Sequence, residues 1–192
     1  MIEEALAFLA ADLNQGLARK FTAPSDLAVL APVVGNDGKS PKETENRLVL
    51  SLVSVEREPI AGNTAQRQRD IAGTRFSAAA PLNINLLVLA SANFDSNAYI
   101  DGLRVLSATL AHFQAHPVYI RATHPALPSM LDRLTMEWKE ASTQNLHNLW
   151  TVLGGRYLPS ALYLSRMLIV EDSLTGPETV PITKISIGST RT

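Results

Sequence analysis

Cysteine is absent from the 192 residues, and with it go disulfide scaffolds, thiolate metal sites and thiol nucleophiles. The absence is compatible with folding in the cytoplasm. Charge is also sparse, at 18% of residues against ~25% in an ordinary soluble domain. The 17 Lys and Arg nearly balance the 18 Asp and Glu, leaving a net charge of −1; that balance calls for neither nucleic acid nor an anionic membrane as partner. Lightly charged chains near neutrality resist self-association poorly, which makes an assembling protein plausible. No apolar run approaches the ~18–20 residues of a membrane span, and the start Met1-Ile2-Glu3-Glu4 is acidic where a secretory signal is basic. A soluble, unprocessed product is therefore expected. Internal repeats, heptad runs and low-complexity tracts are missing too, and the length suits a single compact domain.

What is present is apolar periodicity. Ile2, Leu6, Leu9, Leu13, Leu17 and Phe21 recur at helical spacing and place one apolar stripe on a first helix. Glu3 and Glu4 suit its positive pole, and Arg19 and Lys20 its negative one. A short strand is expected over Leu27–Ala31, then a breaker-rich loop from Pro32 to Pro41. Asn46 to Val55 reads as a strand apolar on both faces, which requires cover on both. From Glu56 to Pro81 the texture turns to Arg, Gln, Gly, Asn and Ala, with Arg57, Arg67, Arg69 and Arg75 among them. Connections this long are uncommon unless they do something or are disordered, and a polar arm facing solvent or a partner is expected. Leu82 to Ala90 is the most apolar strand. A middle helix follows, with Tyr99, Leu103, Leu106, Leu110 and Phe113 on its inner face, ended by His116-Pro117 and succeeded by a short strand at Val118–Ile120. Met130 to Lys139 alternates as a half-exposed strand, with Leu134, Met136 and Trp138 on one side. Ser142 or Thr143 caps a late helix bearing Leu146, Leu149, Trp150 and Leu153, stopped at Gly154-Gly155. Ser160 to Val170 is the last strand. The sum is an α+β single domain, with a mixed or antiparallel sheet and N-terminal, middle and short late helices.

Local signatures of chemistry are weak. His112 and His116 stand at the i, i+4 spacing by which a helix offers two imidazoles to zinc, yet position 113 is Phe where a zinc protease needs Glu, and no third ligand is implied. Histidines at a helix end, near its dipole and solvent, are the better reading; His124 and His147 are not required by any spacing. Gly35-Asn36-Asp37-Gly38-Lys39-Ser40 ends like a phosphate-binding loop, but position 33 is Val where that loop needs glycine, and Pro41 disturbs the helix that should follow. A polar turn between strands is expected instead. No nucleophile elbow is present, and Glu137, Glu140, Glu171 and Asp172 are ordinary carboxylates until a fold pairs them. The arginines of the arm lack the interleaved aromatics of a single-strand binder. Neither cofactor nor metal nor catalytic residue is expected. What remains is interaction: the arm, and a tail whose Ile182, Ile185 and Ile187 suit an edge strand added to another copy's sheet.

The run Leu146-x-x-Leu149-Trp150, followed by Tyr157-x-x-Ser160-x-x-Tyr163 entering a strand, resembles the N-terminal domain of the cap or tail-terminator proteins of contractile injection systems, which are phage-tail-like particles. The proline-led strand Pro81 to Leu89, the helix Tyr99 to Pro117 with its His-Pro end, and the opening Met-Ile-x-x-Ala-Leu are similar as well. The resemblance covers about residues 1–172, leaving 173–192 as an expected extended tail, and any function of the extra C-terminal region of the longer members is not expected of these residues. It implies no catalysis. It implies a hexameric ring on the terminal disc of the inner tube, in contact with the last sheath layer, ending polymerisation of both after assembly in the bacterial cytoplasm. Arg57, Arg67, Arg69, Arg75, Ile182, Ile185 and Ile187 are the expected subunit-interface residues. The alternatives are a small enzyme using His112 and His116 or the 35–40 loop, with metal or nucleotide, and another tube or baseplate component of such a particle.

Overall fold

The computed structural model of the chain describes residues 1–22, 26–58, 67–71, 74–78 and 82–169, with side chains over 1–22, 26–58 and 83–167. Three helices flank a six-stranded sheet. Helix α1 spans Ile2–Ala18, α2 Tyr99–Ala115 and α3 Thr143–Leu153. The strands are β1 (Ala28–Leu30), β2 (Arg47–Arg57), β3 (Arg67–Ile71), β4 (Thr74–Ala78), β5 (Leu82–Asn93), β6 (Val118–Ile120), β7 (Leu131–Lys139) and β8 (Ser160–Ile169). The order across the main sheet is β1-β2-β5-β8-β7-β6, while β3 and β4 pair separately. β1 runs parallel to β2 and the other pairs are antiparallel. This is the expected α+β domain, with a mixed sheet.

Alternation along the strands sorts the apolar side chains onto two faces. Leu48, Leu50, Ile84, Leu86, Val88, Tyr163, Met167, Leu134 and Met136 form one core with Leu6, Leu9 and Leu13 of α1 and Val105 and Phe113 of α2. Leu89 and Leu162 point the other way and meet Trp150 of α3 and Val33. The sheet is thus the middle of three layers. The short late helix, easily taken for a surface ornament, closes the second face. Its ends follow from local chemistry: Ser142 accepts the Asn145 amide proton at its N-cap, and Gly154 stops it at φ 69°, a conformation that costs glycine nothing.

Three elements depart from the pattern read in sequence. First, α1 ends at Ala18, with Lys20 and Phe21 amides both turning back to the Leu17 carbonyl, so Arg19 and Lys20 lie just beyond the last turn. Second, the deepest stripe of α2 is Gly102, Val105, Ala108, Thr109 and Phe113, while Leu106 and Leu110 flank it partly buried and Tyr99 is exposed. Small residues set that rotation because the helix sits close: a Cβ on Gly102 would lie 3.0 Å from the Phe94 ring. Third, β2 is covered on both faces only over Leu48–Ser51. Its partner β1 reaches no further than Leu50, the pairing with β5 slips between Leu52 and Ser54, and Leu52 and Val55 emerge 38% and 47% exposed. A bulge of this kind bends and twists the strand away from its cover. The arm holds more order than its composition announced, because β3 and β4 form a hairpin within it.

Trp150 is buried, as is Tyr163, and both serve the core. Replacing Trp150 by Ala empties the junction between α3 and the sheet and is expected to cost about 3–5 kcal/mol, read as a lower midpoint in urea unfolding. A change below about 1 kcal/mol would show that α3 contributes little to holding the second face.

Candidate functional site

Of the two sequence motifs with a catalytic look, neither assembles into a site for chemistry. His112 Nε2 lies 2.8 Å from Asp12 Oδ2 on α1, and Tyr119 Oη donates to the same oxygen at 3.0 Å. His116 Nδ1 is 3.1 Å from the His112 carbonyl. Both imidazoles therefore have partners already, and among the described residues no cluster of three His, Asp or Glu is arranged to hold a metal. The role that the geometry gives His112 is mechanical: it ties α2 to α1, and Tyr119 adds β6 to the same knot. The helices can meet there because residue 16 is Gly; a Cβ at that position would stand 2.3 Å from His112 Nδ1. Burial acts to raise the Asp12 carboxyl pKa, but the hydrogen bonds from His112 and Tyr119 and the nearby His112 and His124 charges outweigh it and hold it below the ordinary value. Burial, reinforced by Asp12, pushes the Tyr119 hydroxyl well above its ordinary range.

Loop 35–40 is the expected polar turn. Gly35 donates to the Lys39 carbonyl at 2.7 Å, Gly38 to that of Gly35 at 3.0 Å, and Lys39 to Asp37 Oδ1 at 3.1 Å. These amides are spent within the turn instead of pointing at a common anion, and a three-residue 3-10 turn, Lys42–Thr44, follows in place of a helix. A phosphate cradle needs the reverse arrangement.

A cleft of about 1060 Å³ opens beside the C-terminal half of α2, lined by Ile84, Phe113, Met136, Trp138, Tyr163 and Met167. Asn85, Arg133, Glu137 and Arg166 border it too. Trp138 shares a side of β7 with Leu134 and Met136 as expected, yet it is 66% exposed, because β6 pairs with β7 only as far as Thr135. Arg166 bridges strands, with Nη2 3.1 Å from Glu137 Oε2 and Nε 3.9 Å from Glu58 Oε2. Half-exposed pairs of this type contribute little to stability, and their effect here is to fix the position of the cleft's charges. Two polar atoms of cleft-lining residues stand out. Tyr163 Oη and Asn85 Oδ1 are buried and have no hydrogen-bond partner among the described residues, and burial alone pushes the Tyr163 hydroxyl up to about 12. Orphaned buried polar atoms are rare in folded proteins. Sequence reading missed Asp12 and this cleft; the one available signal for Asp12 was a carboxylate bordering the apolar stripe between Leu9 and Leu13.

The expected interface residues are dispersed. Arg57 is exposed at the end of β2. Arg67, Arg69 and Arg75 are on the hairpin, where register sets Arg67 opposite Ala78, Arg69 opposite Phe76 and Arg75 opposite Asp70. Ile182, Ile185 and Ile187 lie outside the described residues, as do Glu171 and Asp172.

The described residues form a three-layer α+β module with a hairpin, an open cleft and exposed strand ends, and with His112 and His116 engaged in contacts within the fold. The chain belongs to the family described as the Pvc16 N-terminal domain, which matches residues 4–184. Two solved structures share the fold. One is the anti-feeding prophage cap, a tube-terminating cap, with a TM-score of 0.56 and 17% identity over 94% of this chain. The other is the sheath/tube terminator, in the extended state, of an extracellular contractile injection system, with a TM-score of 0.58 and 16% identity over 95% of this chain. This chain spans 60% and 63% of their respective lengths. No curated protein matches it.

The Asp12 knot carries a pH signature. A carboxyl whose pKa is lowered on folding contributes stability above its unfolded value, 3.8, and loses it as pH falls through the folded value. Asp12→Asn should lower the urea midpoint at neutral pH and flatten its decline below pH 3.8. Parallel midpoint-against-pH curves for the two proteins would rule out Asp12 as a source of the acid sensitivity.

Proposed function

We propose that the chain is a structural cap, or tail-terminator, subunit of a contractile injection system, forming a hexameric ring that ends tube and sheath polymerisation. The family match over residues 4–184 carries this reading, and the fold shared with two terminators supports it. In this reading the protein turns over no substrate, assembles in the bacterial cytoplasm and resides at the end of the particle, with sheath and inner-tube subunits as its neighbours. The physical features agree with such work. A closed cyclic ring requires one patch to meet a different patch on the next copy, and this subunit offers several unlike surfaces: the arginine-bearing hairpin, the bared β2 end at Leu52 and Val55, and the exposed Trp138 rim. Arg57, Arg67, Arg69 and Arg75 are assigned to the contact between subunits.

Light scattering after size exclusion tests the ring. A hexamer-sized particle is the expected outcome, and a strict monomer at micromolar concentration counts against the reading. Removing the arm should leave the subunit folded while weakening assembly, because so few apolar residues lie in that stretch of sequence. The hairpin sets the boundary of that deletion at about residues 60–80; a cut over 60–72, which composition alone proposes, would strand β4 without its partner. Loss of the cooperative unfolding transition in the deletion variant would show that the arm belongs to the core.

A further inference from the structure

We propose that successive copies of this chain join through their main sheets, residues 55–57 at the end of β2 in one copy pairing antiparallel with residues 138–140 at the end of β7 in the next. This deepens the terminator reading and rests on it in one respect, that copies meet head to tail. Both edges are stepped. β1 accompanies β2 only from Leu48 to Leu50, and past the Ser51 bond to the Ala31 carbonyl no strand adjoins the outer side of β2 among the described residues. β6 accompanies β7 from Arg133 to Thr135, and the Met136 amide donates to the Pro117 carbonyl. Past that point Glu137, Trp138 and Lys139 have no outer neighbour strand among the described residues. Both stretches meet solvent: Val55 is 47% and Trp138 66% exposed, and Glu56, Arg57 and Lys139 are exposed as well.

Direction, face and space together select one register. Three antiparallel pairings lie between β2 and β7, so a sheet continued with α1 and α2 on the same side in each copy joins these strands antiparallel. Arg57 is in register with Ile84, and Trp138 with Tyr163, which puts both side chains on the face that α1 and α2 cover. Glu56 and Lys139 lie on the other face, because successive side chains alternate. Like faces can then set Arg57 opposite Met136 or Trp138 within β7. Pro117 already occupies the outer side of Met136, which leaves Arg57 opposite Trp138 and Glu56 opposite Lys139. Backbone polarity agrees. The Glu58 amide donates inward to the Asn83 carbonyl, so the amide and carbonyl of Arg57 point outward, as do those of Trp138, two residues on from Met136. The side chains are complementary too: glutamate meets lysine, and a guanidinium meets the face of an exposed indole, a cation–π pair. Glu137, next in line, is paired with Arg166 of its own copy.

The cysteine-free sequence allows a direct test in the full chain. In this register Glu56 and Lys139 form a non-hydrogen-bonded pair with Cα atoms ~4.5 Å apart, within the range of a disulfide. Inside one copy β5 and β8 stand between them, three strand spacings or ~14 Å, too far for a bridge. Glu56→Cys/Lys139→Cys, oxidised after assembly at micromolar concentration, is expected to give a covalent ladder on non-reducing gels. Both single variants and the out-of-register pair Glu56→Cys/Glu137→Cys should stay single chains. Dimers from either single variant would overturn the joint by bringing like edges together, and an equal ladder from the out-of-register pair would overturn the pairing. A ring in light scattering whose double variant gives no ladder would overturn the joint and leave the ring reading standing. A ladder from an assembly of another copy number would uphold the joint and end the hexamer, whereas a monomer with no ladder would end both.

Discussion

Everything in this fold answers to the antiparallel pairing of β5 with β8, which holds from Leu82 opposite Ile169 to Ser91 opposite Ser160. The two strands lie at the middle of the sheet, and both carry large apolar side chains on both faces. A central pair so constituted is stable only if each face is covered, since exposed apolar area forfeits roughly 25 cal/mol per Å². The helices are distributed accordingly: α1 and α2 take the face bearing Val88, Tyr163 and Met167, and α3 takes that bearing Leu89 and Leu162. Cover is complete near the centre and fails toward the ends. Leu52, Val55 and Trp138 come to the surface where a neighbouring strand stops short.

Much of this was legible in the sequence because it is local or periodic. The apolar stripe of α1, the alternation of β7, and the Ser142 and Gly154 stops of α3 all declare themselves within about a turn or a few residues. The lateral order of strands and the division of labour between helices were not legible, since no local rule sets Ser160–Ile169 beside Leu82–Ser91 across some seventy residues of chain. The inner face of α2 was misjudged for a physical reason. Hydrophobicity weights favour leucine, but close packing favours Gly102 and Ala108, and the tighter approach decides which stripe faces inward. The hairpin was hidden for the opposite reason: its polar residues lack the alternation by which a half-buried strand is recognised.

The histidines show how a motif misleads when its second partner is remote. Spacing alone pairs His112 with His116, but the structure pairs His112 with Asp12, a hundred residues away. That carboxylate collects both His112 and the Tyr119 hydroxyl, so one partly buried acid links two helices and a strand. A metal-binding pair must keep ring nitrogens free and convergent. Here Nε2 of His112 and Nδ1 of His116 are occupied by different acceptors, which makes the pair a clamp.

The two margins of the sheet are guarded differently. On the β1 side, Asn14 of α1 forms both a donor and an acceptor bond with the Ala28 backbone, each 2.8 Å, so its amide imitates the missing neighbour strand and blunts that part of the edge. Ser51 Oγ still donates to the Ala31 carbonyl at 2.6 Å; beyond it β2 continues to Arg57 without a neighbouring strand on its outer side among the described residues. At the opposite margin β6 is only three residues long, and β7 runs past it to the exposed Trp138. Natural sheets guard their edges with short strands, bulges and charge because bare edges pair indiscriminately. This sheet uses a side-chain amide, a bulge and a short strand at some positions, and among the described residues the stretches without a neighbouring strand differ from each other in length and side chains.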